Sequence, residues 1–342
     1  MRFTVRAARL LPQFRRLQDR LDQLSSDNRR LERLVASQNE ALLKLKQKRS
    51  ADPDLQRFVE QQDRDRAAGR LVEFEYPYNP HMRDWDTLPR GNVYRELLSQ
   101  GEATYQAILE GFLQFADQFS QISASGSPDG VVPYWNNGWL PVLDGISIYG
   151  LLATRNPRYY FEVGSGNSTK FARKAIKDRG LRTKIISVDP QPRANIDDIC
   201  DEVIRCGLED VDLSRFLELG SEDVLFIDNS HRSFQGSDVT VFFTEVLPTI
   251  GQGCVYGIHD ILIPGDYPKD WLRRFYNEQY LLMTYLLGGA GGDEILLPLS
   301  YIYMTPRLAD ILSPIVANPA KAGVPGNGSI FWMRRGGSLT SR

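Results

Sequence analysis

The sequence predicts an α/β protein: a doubly wound, mostly parallel sheet preceded by a parallel coiled coil and a helical arm. Three observations predict it. From about residue 131, short apolar runs alternate with helical patterns, the order that builds a parallel sheet covered by helices. Several of those runs end in an acid, and the first turns on two glycines into a helix. Residues 14–45 keep a seven-residue apolar repeat. We place the boundaries at 1–50 for a basic N-terminal helix, 51–130 for a linker and helical arm, and 131–342 for the α/β domain.

The N-terminal element is justified by its heptads. Phe14, Leu21, Asn28, Val35 and Leu42 fall at one phase; Leu17, Leu24, Leu31, Gln38 and Leu45 fall three residues later. Leu at d and one β-branched residue at a suit two parallel strands. A buried Asn28 is best satisfied by its twin across such a pair, so a parallel homodimer is expected. A straight helix over these residues would extend about 48 Å. Residues 1–50 carry 13 Lys/Arg against 5 Asp/Glu, a balance of +8, inside a chain whose formal net charge is −2. The first residues, Met1 to Leu11, mix Arg2, Arg6 and Arg9 with Phe3, Val5, Leu10 and Leu11, a pattern that can rest weakly on an anionic membrane surface. They lack the apolar core and small-residue cleavage site of a secretory signal. No apolar run reaches the roughly 18 residues that span a bilayer. Cys200, Cys206 and Cys254 have no CxxC spacing and are expected as reduced thiols. The expected location is therefore cytoplasmic, with peripheral contact at the inner membrane face as the variant the basic terminus allows. An acidic main body without a nucleic-acid motif argues against a nucleic-acid partner, and none is expected.

Lys46 to Pro53 should end the first helix. Glu73 to Pro80 is rich in Pro and Tyr and reads as an irregular arm. A helical pattern returns from Tyr94 to Ile122 through Leu97, Leu98, Ile108, Leu109, Phe112, Phe115 and Phe119.

Strands follow. Phe161-Glu-Val ends the first, Lys184 to Asp189 forms the second, and Glu202 to Arg205 a short third. Asp223 to Asp228 and Cys254 to Asp260 form the fourth and fifth, and Ser329 to Arg334 a late edge strand. Ligands of such sheets bind beyond the strand carboxyl ends, so Glu162, Asp189, Asp228, His259 and Asp260 should converge there.

The turn Glu162-Val-Gly-Ser-Gly-Asn-Ser-Thr169 and the helix from Lys170 to Lys177 form a nucleotide-type cradle. Gly164 and Gly166 let the backbone bend and approach a ligand, and Ser165, Asn167 and Ser168 open the helix. A dinucleotide fingerprint wants a third Gly where Thr169 stands. Glu162, two residues before the first Gly, would repel a diphosphate and welcome a cation. S-adenosylmethionine (SAM) is cationic and carries no phosphate, so its electrostatics fit better than those of NAD. Asp189, about 25 residues after the glycines, stands where a carboxylate accepts ribose hydroxyls.

With those residues in view, 131–335 resembles a class I, Rossmann-like SAM-dependent methyltransferase, most of all the small-molecule and sugar O-methyltransferase and cephalosporin-hydroxylase-like branch. The segments that carry the resemblance are Glu162 to Thr169, Ser187-Val-Asp-Pro190, Leu225-Phe-Ile-Asp-Asn-Ser-His231 and Gly257-Ile-His-Asp-Ile261. It implies that the glycine turn holds the methionine part of SAM and Asp189 the ribose, with Glu209 near the adenine edge. Asp228-Asn-Ser-His231 replaces the Asn/Asp-Pro-Pro-Tyr type of motif of amine methyltransferases, which argues for an oxygen acceptor. The expected activity is O-methyl transfer to a hydroxyl of a sugar, glycan or other small molecule. Methyl transfer needs an oriented acceptor and an acceptor for its proton. Two devices stay open. A neutral imidazole, His231 or His259, could take the proton beside Asp228. Alternatively a divalent metal on Asp228 and Asp260 would acidify the hydroxyl, as in related sugar enzymes, although His259 stands where those often have an acid. Ile263 to Pro268 and an aromatic-rich helix from Trp271 to Leu287 should cap the acceptor, and Gly288 to Gly292 would be a lid hinge. A Rossmann-type oxidoreductase and a non-catalytic coiled-coil scaffold are the alternative functions.

Overall fold

In this computed structural model the described residues are 19–21, 23–41, 43–44, 53–72, 74–316 and 326–337. The chain divides into two units, Met1–Asn79 and Pro80–Arg342.

In the first unit, residues 19–21, 23–41 and 43–44 are helical and are called α1. Helix α2 is Pro53–Ala67, with Pro53 in the first turn, where its missing N–H costs nothing. The seam residues Leu21, Leu24, Leu31 and Val35 all lie open on α1, each more than half exposed. Phe14, Leu17, Leu42 and Leu45, and the basic segment Met1 to Leu11, lie outside the described residues.

The second unit opens with the helical pattern expected over Tyr94 to Ile122, cut into three: α3 (Val93–Ser99), α4 (Glu102–Phe112) and α5 (Ala116–Ser120). A 3-10 turn, Leu113–Phe115, separates the last two. These helices belong to the core of this unit. Leu98, Tyr105, Leu109, Phe112, Phe115 and Phe119 are buried in the same cluster as the sheet. Helix α6 (Val142–Arg155) receives them: a Cβ at Gly150 would lie 2.4 Å from the Phe112 ring, so the glycine makes room for that side chain.

The sheet has seven strands in the order β3-β2-β1-β4-β5-β7-β6. They are β1 (Tyr159–Val163), β2 (Lys184–Val188), β3 (Glu202–Ile204), β4 (Val224–Ile227), β5 (Val255–Ile258), β6 (Glu294–Pro298) and β7 (Phe331–Arg334). The first five are parallel, and β7 runs antiparallel to β5 and β6. All of β4 and β5 is buried, as continuous apolar runs require of strands covered on both faces. Gly257 faces Trp332 across β5 and β7, where any Cβ would strike the indole ring. The five strands expected before residue 260 are present, and so is the late strand, but it is not an edge: β7 pairs with β5 on one side and β6 on the other. Strand β6 was not expected: Gly288 to Gly292, read from sequence as a lid hinge, is the turn that joins α10 (Glu278–Leu287) to it. Its end is pinned by Asp293, which accepts bonds from Tyr256, Tyr285, Arg335 and Gly336.

Between these elements lie α7 (Asn167–Arg179) after β1, and α8 (Asp238–Val241) and α9 (Leu247–Thr249) before β5, the last two joined by a π turn. The strand order reverses between β1 and β4. The carboxyl ends there, of Val163 and Ile227, are paired neighbours. That is the topological switch point where open α/β sheets bind ligands.

Candidate active site

The switch point is fixed by a close approach of two backbones. Gly164 has φ +77° and sits against β4, so that a Cβ would fall 1.7 Å from the Asp228 carbonyl oxygen. Only glycine fits. Gly166 has open space on the side where its Cβ would be, with no heavy atom within 4 Å. Thr169, in the third glycine place, ties the turn together. Its hydroxyl accepts from Gly166 N at 3.0 Å and donates to Glu162 Oε2.

Glu162 therefore lies elsewhere than its expected place against a cationic ligand. It is fully buried beneath the turn, with Tyr160 donating to its other oxygen at 3.1 Å. Burial pushes its carboxyl up to about 8, against the hydrogen bonds from Ser168, Thr169 and Tyr160 that favour the ionised form. Glu162 and Ser168 do not line the cavity, whereas Gly164, Ser165, Gly166, Asn167 and Asp189 do. Asp189 joins turn and second strand: its carboxylate accepts from Ser165 N at 2.8 Å and Gln191 N at 2.7 Å. Each oxygen keeps a lone pair for a further donor. Leu208 and Glu209, after β3, close that side.

The cavity encloses about 730 Å³ and runs from Asp189 past the glycine turn to the ends of β4 and β5. That volume is typical of a cofactor-and-substrate cleft. At its far end Asp228, His231, His259 and Asp260 meet. His231 and Asp260 carry backbone φ values of +59° and +53°, a left-handed conformation that costs about 1 kcal/mol or more for a residue with a Cβ. The His231 carbonyl is held by Asn277 N at 2.9 Å, and Ile261 N, just after Asp260, bonds to Ser329 O at 2.8 Å. Strain at a ligand-facing strand end marks a geometry that the surroundings impose.

The two imidazoles are encircled by acids. His231 Nδ1 faces Glu278 Oε2 at 2.9 Å, and its Nε2 lies 3.4 Å from Asp228 Oδ1 and 3.5 Å from Asp260 Oδ2. His259 Nδ1 lies 3.1 Å from Asp228 Oδ1 and 3.6 Å from Asp260 Oδ1; its Nε2 faces Asp144 Oδ2 at 3.2 Å. Burial disfavours a charged imidazole, but Asp228, Glu278 and Asp260 outweigh it and push His231 up to about 10. His259 is held well above the ordinary imidazole range against the same burial by Asp228, Asp260 and Asp144. Asp228 in turn, although burial raises it, is held well below the usual carboxylate range by His259 and His231. This differs from the neutral imidazole expected from sequence, because the expectation counted the histidines and not the four carboxylates around them.

Two of those carboxylates were not legible as site residues. Asp144 lies on α6, far upstream, fully buried and fixed by Ser329 N, Ile330 N and Ser329 Oγ at 2.8–3.0 Å. A lone acid inside the apolar run Val142 to Leu152 was the available signal. Glu278 was expected only as part of a capping helix, and its first turn instead delivers a buried carboxylate to His231. That helix is also shorter than expected, because Phe275 at φ +55° ends a separate 3-10 turn, Lys269–Arg274. Trp271, Arg274 and Tyr276 line the cavity mouth, with the Arg274 guanidinium over both rings and Arg232 over Tyr276. His81 and the glycines 288–292 do not line the cavity.

Residues 161–261 match a family model described as a methyltransferase domain. No curated protein matches the chain. Among solved structures, the SAH-bound methyltransferase PaMTH1 of Podospora anserina is 12% identical, over 77% of this chain and 99% of that one, with a TM-score of 0.36. The O-methyltransferase of Bacillus cereus in complex with SAH is 17% identical, over 67% and 91%, with a TM-score of 0.34. The O-methyltransferase TomG of Streptomyces achromogenes, in complex with SAM, is 15% identical, over 56% and 79%, with a TM-score of 0.28. The stretch 161–261, which carries the glycine turn at the switch point, thus resembles a methyltransferase domain.

Proposed function

We propose that this domain transfers the methyl group of SAM to a hydroxyl of a sugar, glycan or related small molecule. One observation carries the reading: the Asp228–His231–His259–Asp260 cluster opens into the same cavity as the Gly164–Gly166 turn. SAM supplies a methyl group already activated by its sulfonium, so the protein has only to place an oxygen in line and handle its proton. Gly166 and the start of α7 bind the methionine part, and Asp189 the ribose hydroxyls. Asp228, ionised and one third exposed toward the cavity, accepts the hydrogen bond of the acceptor hydroxyl. His231 and His259 hold Asp228 in place and keep it charged. Trp271 and Tyr276 offer flat faces suited to a sugar ring, and Arg232 and Arg274 suit a carboxylate or phosphate on the acceptor. Among the described residues, neither arginine is within ion-pair distance of an acid. The family match sets the oxidoreductase alternative aside.

The chain acts as a homodimer through the α1 seam, in the cytoplasm, with the basic N-terminus touching the inner membrane face. Incubating the protein with small-molecule and glycan extracts and methyl-labelled SAM, followed by mass spectrometry, tests the reading. Label on a carbohydrate hydroxyl supports it; label on an amine, or none on any acceptor while SAM binds, refutes it.

A further inference from the structure

We propose that Arg232 and Arg274 form a subsite for a phosphoryl group, so that the acceptor is a phosphate-bearing molecule and not a neutral one. This deepens the reading above and rests on it for the methyl transfer, while the anion subsite stands on its own geometry. The cavity distributes its charges unevenly. At the ends of β4 and β5, Asp228 and Asp260 face His231 and His259. Asp238 is taken up by Ser230 N at 2.7 Å, Ser230 Oγ at 2.6 Å and Val239 N at 2.8 Å. Arg232 and Arg274 are left without an acid within ion-pair distance among the described residues.

Both guanidiniums are nevertheless held in place. Arg232 donates from Nε to Arg274 O at 2.7 Å and from Nη1 to Ser230 O at 3.3 Å, and lies 5.3 Å from the centre of the Tyr276 ring. Arg274 lies 4.5 Å from the centre of the Trp271 ring and 5.6 Å from that of Tyr276. A cation–π contact holds a guanidinium without consuming its N–H donors. Arg274 keeps its full set of donors for a ligand, and Arg232 keeps those of Nη2. Holding the groups in advance lowers the ordering cost of binding. Their place ties them to the reacting end. Arg232 directly follows His231, and Arg274 lies on the segment whose Asn277 N bonds to His231 O at 2.9 Å. The two coplanar oxygens of a carboxylate are satisfied by one arginine fork. A phosphoryl group spreads its oxygens and its larger charge around a tetrahedron, which suits two guanidiniums held from different anchors.

The test is calorimetric titration of the full-length chain, with and without SAH, using glucose 1-phosphate, UDP-glucose and phosphatidylcholine vesicles carrying phosphatidic acid. Glucose, glucuronate and vesicles of phosphatidylcholine alone are the controls. At least one phosphorylated probe is expected to bind where its control does not, and which one binds tells a simple sugar phosphate from a nucleotide-linked or a lipid-linked source. Arg232→Gln and Arg274→Gln should each weaken that probe about 10–100-fold, the loss of a charged hydrogen bond. Arg274→Lys keeps the charge without the fork and should recover only part of the affinity. SAM titration of the same proteins is the control for folding and separates the two readings: SAM binding without phosphate binding overturns the subsite alone, whereas absence of SAM binding overturns the cofactor reading. Glucuronate binding as tightly as the phosphates, or Gln variants that bind the probe like the wild type, shows two solvated arginines at the cavity mouth and overturns the proposal.

Discussion

Two glycines, two residues apart, do different work. Gly164 has no room for a Cβ, which would lie 1.7 Å from the Asp228 carbonyl, and its φ is +77°. Gly164→Ala must part β1 from β4, so its melting temperature should fall and SAM binding should vanish together. Gly166 faces open space, and Gly166→Ala should melt like the wild type yet lose about tenfold or more in SAM affinity, read by calorimetry. Wild-type SAM binding by Gly166→Ala would show that the ligand does not approach there. Glu162 carries a pH signature. Its folded carboxyl keeps a proton up to about 8, whereas 4.5 is the ordinary value for an unfolded one. Between those values the native state binds more protons than the unfolded state. The stability from this group is therefore present at low pH and lost as pH rises toward 8. Glu162→Gln should flatten the fall of melting temperature across roughly pH 5 to 8. Parallel curves for the two proteins would contradict the burial argument. Gly164, Asp189, Asp228 and His231, which line the cavity, were legible as strand-end positions because strand ends and glycines are local signals. The same signals misplace the Glu162 side chain, since the bond from Thr169 and the cover of Tyr160 exist only once the turn has folded.

Elements were legible where a single strand reads as a buried run between turns. Strands β1, β2, β4, β5 and β7 are of that kind, whereas β3 is a three-residue edge strand with no buried residue. Strand β6 is Glu-Ile-Leu-Leu-Pro behind a glycine run, and nothing in its own five residues tells a strand from a short helix or a loop. The helical pattern over Tyr94 to Ile122 was correct in type but not in continuity, because apolar spacing does not register a 3-10 turn such as Leu113–Phe115. Elements far apart in sequence are locked by one buried acid. Asp293 accepts from Tyr256 on β5, Tyr285 on α10 and Arg335 after β7, and its pair with Arg335 is all but closed to solvent. Asp293→Ala leaves Arg335 buried without its partner and should lower stability by about 3–5 kcal/mol in denaturant unfolding. SAM affinity should survive, because this lock is not part of the cavity lining. A loss under 1 kcal/mol would show that water replaces the carboxylate.

At the scale of the whole molecule, the chain joins a basic N-terminal segment to an acidic remainder. On α1 the seam residues Leu24 and Leu31 are 60% and 58% exposed, a stripe that a second copy would cover. A Leu24→Asp, Leu31→Asp double variant should sediment as a monomer where the wild type sediments as a dimer, with SAM binding unchanged. A wild-type monomer at micromolar concentration would end the coiled-coil reading. The central claim is that the switch point holds SAM. Calorimetric titration of the full-length chain with SAM tests it most directly. The account predicts one site per chain in the micromolar range, weakened about 10–100-fold by Asp189→Ala through loss of charged hydrogen bonds to the ribose, and no heat with NAD. Absence of SAM binding, or binding that Asp189→Ala leaves untouched, would contradict it.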